Sequence, residues 1–136
     1  MAGVLSLQSF MLVNIPLTLS LVSHSPSAAE EAEYDRLRGL AHAAHNKRNS
    51  CFEKSRAAYT AGQGAHAKTL SNEGKEHDRV GNDYHLQARN YIFRVNNVHR
   101  NEDEIDLHGL YVQEAKDVLK QRIQAVIDRG GSGIHV

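Results

Sequence analysis

Two stretches of this chain repeat small and apolar residues in the same 3,4 rhythm, on either side of Gly62-Gln63-Gly64. The first runs Tyr34, Leu37, Ala41, Ala44, Arg48, Cys51, Ser55, Ala58. The second runs Ala67, Leu70, Gly74, His77, Gly81, Tyr84, Ala88, Tyr91, Val95. That spacing places every member on one face of a helix. The residues from Ala28 to Ala61 are strong helix formers, and Glu30, Glu31, Glu33 and Asp35 gather in the first turns, where the helix dipole favours acids. Two glycines around one residue suit a helix C-cap and a short turn, so the chain is expected to fold back at Gln63. Folding there sets Ala58 against Ala67, Cys51 against Gly74, Ala44 against Gly81 and Leu37 against Ala88. It also brings Arg48 near Asp78. A glycine costs about 1 kcal/mol in a helix interior, so Gly74 and Gly81 signal close approach, with Cys51 and Phe52 opposite Gly74. The expected element is a long antiparallel αα-hairpin over residues 28–98.

Charge is balanced over the 136 residues, 16 basic against 16 acidic, so no global field draws the chain to nucleic acid. The distribution is uneven. Residues 47–100 carry ten basic and five acidic side chains, net +5, whereas residues 1–46 are net −2 and 101–136 net −3. Lys47, Lys54, Lys68, Lys75 and Arg79 lie on the outer faces of the expected hairpin. A basic helix pair of this kind can follow phosphates without reading sequence, and the same charges also suit a merely solvated face. Tyr59, Tyr84, Tyr91 and Phe93 have the chemistry to stack on bases, though aromatics on a seam more often fill a core. The histidines between His42 and His85 lack the spacing of a closed zinc set, so no metal and no cofactor is expected.

Residues 1–29 contain no charged side chain. The run from Val4 to Val22 is apolar in character but is interrupted by Gln8, Asn14 and Pro16, which makes a poor membrane span. No basic residues precede it, as a secretory signal would require, although SHSPSAA offers small residues to a signal peptidase. Residues 1–27 are expected to be a disordered leader, and a mistaken upstream extension of the reading frame fits their composition. The single cysteine, Cys51, excludes an intrachain disulfide and fits a reducing, cytoplasmic setting.

After the acidic linker Asn101-Glu102-Asp103-Glu104, Ile105-Asp106-Leu107-His108 alternates apolar and polar with period two, the pattern of a half-buried strand. Asp106 and His108 would share one face, about 7 Å apart at two rises of ~3.3 Å. Gly109 ends the strand. A helix is expected from Val112 to about Asp128, with Val112, Ala115, Leu119, Ile123 and Val126 as its buried stripe and Val118 and Ile127 beside it. Gly130-Gly131 closes it, and Ile134-His135-Val136 opens a second strand, giving a β-α-β unit. A carboxylate beside an imidazole can orient it or favour its protonated form, and the imidazole can move a proton near neutral pH. These are parts for phosphodiester hydrolysis, yet a local hydrogen bond on a surface explains the same spacing.

The stretch IDLHGLYVQEAKDVLKQRI resembles the first motif of the Smr domain, leucine-aspartate-leucine-histidine-glycine followed by a helix with a glutamate-alanine pair. The words AEEAEYDRLRGLA, KRNSCFEKSRAAY, LSNEGKEHDR and ARNYIFRVNN resemble the DUF1771 helical segment that precedes Smr in many eukaryotic proteins. The resemblance implies an α/β sandwich similar to the C-terminal domain of bacterial initiation factor three. It also implies structure-selective cleavage of branched DNA or of messenger RNA at stalled ribosomes. It makes Asp106 and His108 the candidate catalytic residues and Gly109 the glycine of the motif turn. The expected organisation is therefore mainly α, a long αα-hairpin followed by an incomplete β-α-β Smr-like start over 105–136.

The second Smr motif, threonine-glycine-x-glycine with a following histidine, has no counterpart here, and GGSGIHV reads as its lead-in. On that ground the expectation is an endonuclease-class protein, truncated and inactive as this chain. The alternative is a non-catalytic module whose basic hairpin contacts RNA, a ribosomal surface or a protein partner. RNA is favoured over DNA, and neither a membrane nor a small-molecule substrate is expected.

Overall fold

The computed structural model describes residues 25–130; the expected leader up to residue 24 and the expected strand Ile134-His135-Val136 lie outside them. The described residues are mainly helical. Helix α1 spans Ala28–Thr60, α2 spans Gly64–Asn97 and α3 spans Val112–Asp128. No helix among the described residues is long and apolar enough to cross a membrane. Contacts divide the chain into two compact units. One spans Asp35–Ala88, and the other is drawn from Met1–Tyr34 and Arg89–Val136.

Helix α1 opens on a capping box. Ser27 Oγ accepts from the Glu30 N–H at 3.1 Å, and Glu30 Oε1 accepts from the Ser27 N–H at 2.8 Å, so two donors of the first turn are satisfied reciprocally. It closes on a Schellman motif. The Gln63 N–H reaches the Ala58 carbonyl at 2.9 Å and the Gly62 N–H reaches that of Tyr59 at 3.0 Å. Gly62 takes φ +79°, a conformation that a side chain would strain.

Within Asp35–Ala88 the two helices pair in the register expected from the seams. Leu37, Ala41, Ala44, Ala58, Ala67 and Ala88 are buried. A Cβ on Gly74 would lie 2.5 Å from the Phe52 ring, and one on Gly81 would overlap the His45 ring, so both glycines admit a ring from α1. Arg48 Nη1 donates to Asp78 Oδ1 across the seam, and this bond holds the Asp78 carboxyl below its ordinary range. Ser55 Oγ donates to the Ala67 carbonyl at 2.6 Å. The seam also buries a charge that the spacing did not indicate. Arg38 is 2% exposed, and its Nη1 donates to His85 Nδ1 at 2.8 Å. A guanidinium can only donate, so His85 Nδ1 carries no hydrogen.

In the other unit the buried apolar residues include Tyr34, Ile92, Val95, Ile105, Leu107, Leu110, Ala115 and Val118. The expected β-α-β start is corrected here. Among the described residues there is no strand; 101–111 form turns and extended backbone, with a lone bridge residue at Asp106. Ile105 and Leu107 point inward as expected, at 2% and 0% exposed, but Asp106 between them is 2% exposed as well, so burial does not alternate here. Among the described residues, the backbone of 106–108 bonds to side chains at the end of α2, which meet polar groups of this segment.

Helix α3 begins where expected, with Glu114 Oε1 accepting from the Tyr111 N–H at 2.9 Å. It closes at Gly130, φ +70°. Its stripe is only partly covered. Ala115 and Val118 are buried, Leu119 and Val126 half-buried, and Val112, Ile123 and Ile127 exposed.

Candidate functional site

The expected pair Asp106 and His108 forms a closed hydrogen-bonded dyad. His108 Nδ1 and Asp106 Oδ1 are 2.7 Å apart, and the same oxygen accepts from the His108 backbone N–H at 2.9 Å. The segment turns rather than extends. The Leu110 N–H reaches the Leu107 carbonyl at 3.3 Å, and Gly109, third of that turn, has φ +84°. A Cβ at Gly109 would also lie 3.0 Å from Ile92 Cγ1, so conformation and space both call for glycine. The Gly109 carbonyl accepts from the Tyr34 hydroxyl at 2.6 Å.

Three side chains from the end of α2 and the turn after it hold this loop. Asn97 Oδ1 accepts from the Asp106 N–H at 2.7 Å, and Asn97 Nδ2 donates to the Asp106 carbonyl at 2.8 Å. A side-chain amide thus occupies both backbone groups of one residue, as a neighbouring strand would. Asn96, 2% exposed, donates to the His108 carbonyl at 3.0 Å. Arg100 donates through Nε to the Asn96 carbonyl at 3.1 Å and through Nη2 to Asp106 Oδ2 at 3.1 Å. Its Nη1 lies 3.8 Å from Glu104 Oε2.

These neighbours fix the protonation pattern. Burial works to raise the Asp106 pKa. Hydrogen bonds from the His108 ring and backbone, with the charges of His108 and Arg100, outweigh it and hold the carboxyl below its ordinary range. The bond to Asp106 raises the His108 pKa, against burial and the nearby Arg100 charge. An ionised carboxylate only accepts, so His108 Nδ1 carries a hydrogen. Nε2 is then the atom that gains or loses a proton. It has no hydrogen-bond partner among the described residues, and the side chain is 36% exposed against 3% for Asp106. A buried carboxylate that orients and charges a half-exposed imidazole is the arrangement of a general acid–base pair.

The five cations expected to meet nucleic acid are all exposed, and all lie within Asp35–Ala88. Lys47 and Lys54 are two turns apart on α1, as are Lys68 and Lys75 on α2. Arg79 is already engaged, with Nη2 2.7 Å from Glu76 Oε1. Among the described residues no three His, Cys, Asp or Glu side chains are arranged to hold a metal ion. His42 and His45 each pack a ring against His85, with centroids 5.4 Å away in both cases.

Residues 34–97 match the family model described as a domain of unknown function, DUF1771. The match covers most of both hairpin helices. The chain is 41% identical over 104 residues to an Smr domain-containing protein of Schizosaccharomyces pombe, covering 76% of this chain and 50% of that protein. It is 39% identical over 113 residues to the endonuclease NBR9 of Saccharomyces cerevisiae, covering 77% and 47%. It is 38% identical over 99 residues to polyadenylate-binding protein-interacting protein 7 of Arabidopsis thaliana, covering 68% and 18%. The chain thus spans about half the length of the first two relatives and less than a fifth of the third. No solved structure matches it. The DUF1771 match includes Asn96 and Asn97 and ends at the latter, whereas Arg100, Asp106 and His108 follow it.

Sequence reading missed Asn96, Asn97 and Arg100. The pair Asn96-Asn97 before an acidic linker reads as a helix terminus, since asparagine favours helix ends, and nothing in it points forward to residue 106. Arg100 gave no signal beyond its contribution to the net charge of the middle segment.

Proposed function

We propose that this chain is an Smr-related, nucleic-acid-associated protein of the endonuclease class, with Asp106 and His108 as its acid–base pair. The observation that carries the reading is the dyad itself, a buried carboxylate on Nδ1 and an Nε2 left to exchange protons. The relatives named as an Smr domain-containing protein and an endonuclease support the class. In phosphodiester cleavage, Nε2 would take the proton of the attacking oxygen or give one to the leaving oxygen, while Asp106 stabilises the imidazolium. RNA is favoured over DNA because one relative is named for interaction with a polyadenylate-binding protein. A cytoplasmic setting accompanies this reading, supported by the single free, half-buried Cys51. The test is incubation of labelled RNA and branched DNA with the chain and with His108→Ala. Cleavage lost in the variant supports the proposal, and cleavage unchanged in it overturns the assignment.

A second reading rests on a separate observation, the exposed Lys47, Lys54, Lys68, Lys75 and Arg79. Here the DUF1771 segment binds RNA, a ribosomal surface or a protein partner without chemistry. If phosphates are the target, log affinity for single-stranded RNA falls with log salt, with slope about −0.7 per phosphate neutralised. Replacing Lys47 and Lys54 with alanine then makes that slope shallower. A flat salt dependence would exclude phosphate as the target.

A further inference from the structure

We infer that the end of the DUF1771 helix is the positioning shell of the Asp106–His108 dyad, with Asn97 setting where the Asp106 carboxylate stands and Asn96 setting where the imidazole stands. The inference deepens the acid–base assignment and rests on that reading for its functional meaning. Its structural content is independent of whether the chain cleaves anything.

Within the described residues, side chains from the end of α2 bond the backbone on which the dyad sits. Asn97 grips Asp106 at both backbone groups, 2.7 and 2.8 Å, and its Nδ2 also donates to the Phe93 carbonyl at 2.8 Å. The amide is therefore anchored to its own helix while it holds the loop. Asn96 holds the next polar backbone position, the His108 carbonyl. Arg100 completes the shell from the carboxylate side, taking Oδ2 and leaving Oδ1 for His108. Among the described residues, the charged groups paired around the imidazole are Asp106, Arg100 and, through Arg100, Glu104. Asn96 and Asn97 are neutral, so they influence the dyad only by placing it. Both lie in the DUF1771 match, which makes that segment part of the site and not merely a neighbour of it.

The test uses the full chain and reads His108 by NMR titration of its imidazole carbon-bound protons. Asn97→Ala removes both of its bonds to the Asp106 backbone, loosens the carboxylate from Nδ1 and lowers the His108 pKa from its raised position toward the ordinary histidine value. Asn96→Ala frees only the His108 carbonyl and gives a smaller shift in the same direction. Circular dichroism confirms that each variant keeps its helices, and Asn96→Ala carries the test if Asn97→Ala unfolds. Wild-type titration of His108 in a folded variant would overturn the inference, even if the nuclease reading stood. Cleavage by His108→Ala equal to that of the wild-type chain would overturn the acid–base reading and leave the expected titration shifts intact.

Discussion

The Asp35–Ala88 unit and the unit that carries the dyad solve the same problem by different means. In the first, a long seam of alanines and glycines brings two helices close, and most polar side chains stay at the surface. In the second, a turn is fastened by side-chain amides and a guanidinium, and the carboxylate at its centre is nearly inaccessible. The seam depends on a repeated pattern, so one altered member is averaged over many contacts. The loop depends on individual bonds to buried polar groups, so one altered member is felt directly. The loop unit should therefore be the more sensitive to single polar substitutions, and the seam to added volume.

The largest effect is expected at Asp106→Ala. Arg100 is 8% exposed and Asp106 3%, so the substitution takes the nearer of two carboxylates from a buried guanidinium, at a cost of roughly 3–5 kcal/mol. Urea unfolding measures it. A loss under about 1 kcal/mol would place this pair with exposed ion pairs and remove the contrast between the units.

Gly74→Leu comes next and probes the seam. Added volume against Phe52 should destabilise by about 1–3 kcal/mol. Gly39→Ala, on the same pair of helices, is the counterpart. Nothing lies within 4 Å of a Cβ built there, so helix propensity alone acts and stability rises by up to about 1 kcal/mol. Equal responses at the two glycines would mean that close approach does not explain Gly74.

The smallest expected effect is on pH dependence. Asp106 has a lowered pKa, so its contribution is present above its ordinary value of 3.8 and fades as pH falls through the folded-state value. His108 has a raised pKa, so its contribution is complete below 6.5 and fades as pH rises through its folded-state value. The dyad therefore stabilises most between about pH 4 and 6.5, and weakens on both sides. Unfolding midpoints for the chain and for His108→Ala across pH 3–9 should converge toward either extreme. A constant difference between them would show that the dyad does not carry this linkage.

The contrast between the units also explains what could be read from sequence. The hairpin was legible because packing obeys periodicity, and the partners of Arg48 and Phe52 follow from one fold point at Gln63. The ends of α3 were legible from apolar spacing and Gly130. The inward side of Ile105 and Leu107 was legible too, but not the burial of Asp106 between them, because a carboxylate is read as outward unless its partners, here Arg100 and His108, are already known. Asp106 and His108 were read as sharing a face about 7 Å apart along a strand. Their side chains are hydrogen-bonded, at 2.7 Å. Asn96, Asn97 and Arg100 were illegible because their bonds span six to twelve residues with no repeat to announce them. Arg38 was illegible for the converse reason, since a charged residue on a helix is read as exposed unless its partner, here His85, is already known.

The measurement that bears most directly on the central claim is the imidazole titration of His108 in the chain and in Asp106→Asn. The account predicts that His108 titrates above its ordinary value of 6.5 in the chain and distinctly lower in the variant, where the ionised partner is gone. Identical titrations would mean that the carboxylate does not act on the imidazole, and that Asp106 and His108 are neighbours rather than a dyad.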